Sequence, residues 1–391
     1  MKLGLGLSLT KSNVVQGFLN TFSLNFDGTN DYVAIGASNA VIIGTNHTIS
    51  TWFKNSSGGM AYIFQNRRSI GSTNLSLGIN FNVSVGQAAG YVGLVMYNGS
   101  GHTVTVSDEN INDGAWHHLA ATISDGAQKL YLDGSEVASS TAAFDNEASS
   151  DISTIGSQGG SNRFMNGNLD EFALWNTVLD ADAITAIYNS GTPISLSSDS
   201  GDYDNSSNLQ GYWRMGDGTL DEYPLIADQT NATLGDDLFD ADAYATGTGN
   251  WYAYTGNTIE NDDGAIKTTY GGSATGSFVY FRDAYQLSSD LTVGKIYKLT
   301  FDVKTNSGSS VNVEVYDGSS SSWVVTGVTS TDYIAATHYF VAANATTAYI
   351  RTSGLASGEI IWIKNMILRE VQGNPGFMNN MVSGDIEEET P

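Results

Sequence analysis

The groups in this chain that could do chemistry are carboxylates and aromatic rings. Cysteine is absent, which excludes disulfides, thiolate metal sites and thiol nucleophiles. The five histidines (47, 102, 117, 118 and 338) stand in no nucleophile context. His117 and His118 are consecutive in a predicted strand, so their side chains diverge and suit no shared metal. Retaining hydrolysis of a glycosidic bond needs two carboxylates about 5 Å apart on one face. The strand pattern Glu-x-Asp-x-x-Glu that would place them does not occur, and the adjacent Asp170 and Glu171 point to opposite faces. Aromatic rings beside Asn, Asp and Gln suit sugar binding instead. Trp251, Tyr254, Tyr316 and Trp323 fall near predicted strand ends or loops and are the expected carbohydrate contacts, Tyr254 and Trp323 foremost. Trp52, Trp116 and Trp175 lie inside strand patterns and are expected in the core.

The elements that must position these groups are strands. From Trp116 to Gly134, Leu119, Ala121 and Ile123 share one face and Leu130 and Leu132 another, joined by an Asp125-Gly126 turn. That is a half-buried antiparallel hairpin. Short apolar runs punctuated by Gly, Asn, Asp and Ser continue through residues 20–192, the spacing of an all-β sandwich. One helix closes this block, with Asp180 as N-cap, Ile184, Ile187 and Tyr188 as its apolar stripe and Gly191 at its end. Residues 193–237 are acidic and read as a linker and lead-in segment. Residues 238–371 form a second strand-rich block, in which Lys298, Thr300, Asp302 and Lys304 alternate with Leu299, Phe301 and Val303. Residues 1–19 read as an N-terminal arm, and residues 372–391 as a flexible acidic tail. The expected fold class is all-β, two antiparallel jelly-roll sandwiches in tandem with one short helix closing the first.

Composition narrows the partners. Forty-one acidic against 16 basic residues give a net charge of −25, which disfavours nucleic acid and anionic membranes and would attract cations. No segment has the roughly 18 apolar residues that span a bilayer. The apolar start Met1–Leu9 is diluted by Gly and lacks a cleavage pattern, so it is read as an arm and not a signal peptide.

Four ordered segments carry a family resemblance. They are Leu24-Asn25-Phe26-Asp27-Gly28 through Val33, Thr48 to Lys54 around Trp52, the Trp116–Gly134 hairpin, and Gly167 to Trp175 containing Asp170-Glu171. The first block resembles the laminin G-like, concanavalin A-type jelly rolls of bacterial surface and phage virion proteins. That resemblance implies a structural Ca2+ held by Asp27, Asp31 and Asp170. Gly294–Val303 and the final strand around Trp362 make the second block resemble the jelly-roll carbohydrate-binding modules appended to xylanases. Asn365 stands where such modules usually carry an acidic calcium ligand. The expected function is a non-enzymatic bacteriophage virion protein: a head fibre, capsid decoration or tail appendage. It would dock to other virion proteins through the arm, adhere to host or environmental glycans, and form a homo-oligomer such as a trimer. The alternatives are a secreted or surface bacterial glycan-binding protein and, third, a polysaccharide hydrolase or lyase.

Overall fold

The computed structural model describes residues 18–37, 45–55, 59–69, 72–79, 91–97, 102–107, 111–141, 152–239, 246–272, 275–283, 285–306, 310–353 and 356–391. The arm expected at 1–19 lies outside these residues but for its last two. The chain divides into two compact units, residues Met1–Thr230 with Gly376–Pro391, and Asn231–Pro375.

Unit 1 opens with β1 (Ser23–Asp27), β2 (Tyr32–Ala37), β3 (His47–Asn55), β4 (Ala61–Ser69), β5 (Ser72–Ile79), β6 (Val92–Tyr97) and β7 (His102–Val106). There follow β8 (Trp116–Ser124), β9 (Ala127–Leu132), β10 (Ser135–Ser140), β11 (Ile152–Ile155), β12 (Asn166–Trp175), helix α1 (Ala181–Tyr188), β13 (Leu209–Trp213) and β14 (Leu225–Ile226). The β8–β9 hairpin forms as its alternation predicts, with Leu119, Ala121, Ile123, Leu130 and Leu132 in the main core. Its other face is covered as well. Tyr131 and Ala120 join Trp175, Leu179, Ile184, Ile187 and Tyr203 in a second apolar layer beneath α1. This explains why β12 is apolar on both faces: Leu169, Phe172 and Leu174 enter the main core, while Ala173 and Trp175 enter the layer under the helix. Asp180 caps α1 by accepting from the Ala183 amide at 2.8 Å. The helix stops at Asn189, in left-handed conformation, two residues before the expected Gly191.

Unit 2 comprises β15 (Tyr252–Ala253), β16 (Thr258–Asp262), β17 (Ala265–Thr269), β18 (Thr275–Tyr280), β19 (Ile296–Thr305), β20 (Val311–Tyr316), β21 (Ser321–Val328), β22 (Ile334–Val341), β23 (Tyr349–Ser353) and β24 (Ile360–Glu370). Its two antiparallel five-stranded sheets run β15-β18-β23-β20-β21 and β16-β17-β24-β19-β22. Alternate residues from each, among them Val279, Phe281, Leu299, Phe301, Val313, Val315, Ile350 and Ile363, fill one core.

After unit 2 the chain returns to unit 1 as β25 (Gly376–Asn379) and β26 (Ile386–Glu387). Unit 1 then has sheets β10-β9-β8-β3-β12-β1-β26, with β13 beside β12, and β14-β25-β2-β11-β4-β5-β6-β7. Two expectations are corrected here. The residues read as a flexible tail pair in register with β2 and β1, bury Met378 and Met381 in the main core, and ion-pair Glu389 with Lys54. The residues read as a linker contribute buried Leu196, Tyr203, Tyr212 and Trp213. In both stretches a few large apolar side chains anchor acidic sequence, because each buried ring or Met contributes about 1.5–3 kcal/mol.

Candidate functional site

The outward face of the sheet β15-β18-β23-β20-β21 is aromatic. On β18, Ser277 and Val279 turn inward, which leaves Phe278 and Tyr280 outside; on β23, Ile350 and Thr352 turn inward and Tyr349 and Arg351 outward. On β20 the three inward valines leave Glu314 and Tyr316 on the same outer face. Strand register arranges these side chains in two rows across the sheet. One row runs Tyr252, Phe278, Arg351, Glu314 and Trp323, and the next Tyr280, Tyr349, Tyr316 and Ser321. At the usual strand spacing five strands give a platform about 19 Å long.

Ring contacts knit the rows. Tyr316 stacks on Tyr349 at 4.9 Å and Tyr252 on Phe278 at 5.5 Å, while Tyr280 meets Tyr349 edge-on at 5.8 Å. Tyr254 leans on Phe278 at 5.5 Å. At one end Arg282 lies 3.9 Å over the Tyr285 ring. Hydrogen bonds from Tyr252 and Arg282 hold the Tyr285 hydroxyl below its ordinary pKa. In the middle Arg351 Nη2 donates to Glu314 Oε2 at 2.9 Å. Desolvation works against the Arg351 charge, but the Glu314 hydrogen bond and charge outweigh it and raise the guanidinium above its usual value. Glu314 Oε1 lies as near to Arg351 as its twin oxygen, yet it has no well-aligned donor, and Arg351 Nε and Arg282 Nε have no acceptor among the described residues. All three atoms are buried, so the face offered to a ligand is chiefly that of the rings.

The residues expected from sequence are divided by the structure. Tyr254 (44% exposed) and Tyr316 belong to the platform. Trp323 occupies the register position opposite Glu314; its side chain lies outside the described residues. Trp251 is a correction: at 4% exposure it is part of the unit 2 core, because the strand beginning at Tyr252 puts consecutive rings on opposite faces. Phe278, Tyr280, Tyr349, Arg351 and Glu314 are not singled out by proximity to strand ends, although their period-2 spacing with Val and Ile is the available signal.

The three aspartates expected to share a cation do not converge. Asp27 Oδ1 accepts from the Thr29 amide at 2.7 Å, and Asp31 Oδ2 from the Asp27 amide at 2.9 Å, in the β1–β2 turn. Burial, with the adjacent Asp27 charge added, raises the Asp31 carboxyl. Asp27 pairs with Asn166 across β1–β12, so Asp170 lies four positions along, about 14 Å at the usual rise per residue. Asp170 is buried, with one oxygen accepting from Asn20 at 2.8 Å and the other from the Glu171 amide at 2.8 Å. Burial and the Glu171 charge push its carboxyl well above the ordinary range. Glu171, at φ 48° in a β-bulge, takes hydrogen bonds from Tyr212 and from Arg214 Nε, the latter at 3.0 Å. These carboxyls are internal. A cavity of about 230 Å3 lies beside the β1–β2 turn, lined by Gly28, Asn55, Arg163, Phe164 and Asn166. It is below the roughly 300 Å3 of most small-molecule sites.

His117 and His118 diverge as expected. His117 Nδ1 lies 2.8 Å from Asp133, while His118 is buried with Nε2 2.7 Å from Ser50 Oγ.

Residues 27–185 match the family model Laminin_G_3, described as the concanavalin A-like lectin/glucanases superfamily. Unit 1 contains a concanavalin A-like domain. The segments that carry the resemblance, around Phe26-Asp27 and Leu169–Trp175, lie on the adjacent strands β1 and β12. Among solved structures, the chain is 18% identical to a Bacteroides ovatus protein whose carbohydrate binding is itself inferred, over 55% of this chain and 56% of that one, with a TM-score of 0.41. The chain therefore spans little more than half of that protein. A heptameric pentraxin from Limulus polyphemus is 17% identical over 45% of this chain and 86% of its own, TM-score 0.34. The CBM22-1 xylan-binding domain from Paenibacillus barcinonensis is 11% identical over 37% and 97%, TM-score 0.28. Comparison with curated proteins yields no match. The concanavalin A-like domain and the jelly-roll unit 2 together confirm the all-β tandem architecture.

Proposed function

We propose that the chain is a non-enzymatic glycan-binding protein whose contact surface is the aromatic platform of unit 2. The carrying observation is the double row of rings with Arg351 and Glu314 between them. Sugar rings present apolar C–H faces to such rings. Glu314 is the only carboxylate in the five strands of this sheet, whereas hydrolysis requires two. That supports binding without turnover.

Display on a bacteriophage particle, as a homo-oligomer docked through residues 1–19, is the setting we attach to this reading; it rests on the resemblance of the first block to virion jelly rolls. A secreted or cell-surface bacterial protein would use the same platform. The Asp27–Asp31 turn, where two carboxylates approach, is the place for a Ca2+ ion within this proposal.

A glycan array probed with the full chain, followed by titration of any hit against Tyr349→Ala and Tyr316→Ala, tests the platform. Each substitution is expected to weaken binding about tenfold, since a stacked ring contributes about 1 kcal/mol or more. Binding unchanged in both variants would place the contact elsewhere and refute the proposal. Copurification with particles and light scattering test the setting and the assembly.

A further inference from the structure

The opposite sheet of unit 2, β16-β17-β24-β19-β22, carries a second and chemically different surface. On β19, Lys298, Thr300, Asp302 and Lys304 face outward; on β24, Trp362 and Lys364 do, before the backbone bulges at Asn365 with φ 52°. Register puts Lys304 and Lys267 on either side of Trp362, and Lys364 opposite Asp302. Lys304 Nζ lies 4.9 Å from the Trp362 ring centre and 4.6 Å from that of Tyr333, and Lys364 Nζ lies 3.9 Å from Tyr333. Lys267 flanks Trp362 at 5.9 Å and pairs with Glu260 at 2.7 Å. Cation and ring thus alternate from contact to contact, Lys267, Trp362, Lys304, Tyr333, Lys364, the last lying two residues after Trp362 on β24.

Two features mark this cluster as a binding surface. Lys304 and Lys364 make no ion pair among the described residues, although the chain carries 41 acidic side chains against nine lysines. Trp362 is also held in place. Trp362 Nε1 donates to Asp262 Oδ2 at 2.7 Å, and Asn365 donates to Asp302 Oδ2 at 2.7 Å, which keeps Asp302 engaged beside Lys364.

We propose that this face binds an acidic polysaccharide, with sugar carboxylates or sulfates on Lys304 and Lys364 and pyranose faces against Trp362 and Tyr333. Charge complementarity selects an anion, and the interleaved rings select one whose charges are separated by flat apolar faces. Asp262 and Asp302 favour a glycan over nucleic acid. They can accept hydrogen bonds from sugar hydroxyls, donors that a phosphate backbone lacks. This site is independent of the platform on the other sheet.

Affinity electrophoresis of the full chain in gels containing polygalacturonate, its methyl ester, or no polymer tests the assignment. Retardation by the free acid and not by the ester is expected, weakening as salt rises. The double variant Lys304→Ala/Lys364→Ala should weaken it about tenfold, as two partly exposed charge contacts allow. Lys304→Arg/Lys364→Arg should retain it, and Tyr349→Ala on the platform should leave it unchanged. Thermal unfolding of each variant separates lost binding from lost folding. Absence of retardation, equal retardation by the ester, or loss in Tyr349→Ala without loss in the lysine variant would overturn the proposal. Equal or tighter binding of a thymidine oligonucleotide would overturn it in favour of nucleic acid.

Discussion

Acidification should destabilise unit 1 through His118, and by an amount the structure sets. The ring is fully buried between Trp52 and Tyr188, whose centroids lie 5.1 and 6.1 Å away, and only Ser50 contacts its Nε2. Nδ1 has no hydrogen-bond partner among the described residues, so a second proton there would be stranded without an acceptor. Burial accordingly lowers the imidazole from 6.5 to about 4, with the Asp133 charge opposing weakly. The depressed value fixes the sign. Between those two pH values the unfolded chain binds one proton more than the folded one, so stability is full above 6.5 and falls as the pH drops toward 4. With a slope of at most about 1.4 kcal/mol per pH unit, the loss from pH 6.5 to 4.5 comes to about 2 kcal/mol. Other groups titrate over the same range, so the informative quantity is the difference between the wild type and His118→Gln, which keeps a partner for Ser50 and cannot be charged. Urea unfolding of both proteins at pH 7.5, 6.5, 5.5 and 4.5 measures it. The variant is expected to be less stable than wild type by about 1 kcal/mol at pH 7.5, from repacking, and to overtake it at about pH 5.8. Parallel loss of stability in the two proteins would show that His118 is not the buried neutral ring described.

Glu171 should produce the opposite slope at higher pH. Burial, opposed by Arg214 and Tyr212, raises its carboxyl from 4.5 to about 7, so its contribution is present below 4.5 and is lost as the pH rises through 7. From pH 5 to 8 the wild type should therefore lose up to about 3 kcal/mol that Glu171→Gln does not lose, read by the same urea series. Ending the chain at Pro375 removes β25, β26, Met378 and Met381 from unit 1 while leaving every unit 2 strand intact. Two buried Met side chains and three strand pairings put the cost above about 4 kcal/mol. Limited proteolysis should then cut unit 1 and spare unit 2; equal resistance would contradict the shared fold.

Much of this architecture is legible in single stretches of sequence. The β8–β9 hairpin, the Asp180 cap and the alternating β19 strand each carry their own period, and each forms within a residue or two of its expected place. The return of the chain to unit 1 is not legible, because β25 and β26 have four and two residues and too few positions to show a period. Gly376 is required there, since a Cβ would sit 2.5 Å from Val33, but that neighbour is remote in sequence. The platform was half visible. Tyr254 and Tyr316 were found by proximity to strand ends, a criterion that also admitted the buried Trp251; alternation decides exposure, and the outer positions of β18 and β23 follow from it. The lysine cluster was invisible because Lys267, Lys304 and Lys364 meet only through strand order.

The nested path of the chain has a consequence for biosynthesis. Strand β2 pairs with β11 on one side and β25 on the other, and β1 with β12 and β26. When the ribosome has completed residue 230, unit 1 has every strand except those two. About 145 residues of unit 2 must be made before they emerge. At typical elongation rates that takes roughly 7–30 s. Throughout that interval one edge of β2 is unpaired and the core beneath Met378 and Met381 is uncovered, a template for strand addition by a neighbouring nascent chain. Polysome-bound chains, and any product cut short within unit 2, are thus the species on which chaperones would act and from which aggregates would start.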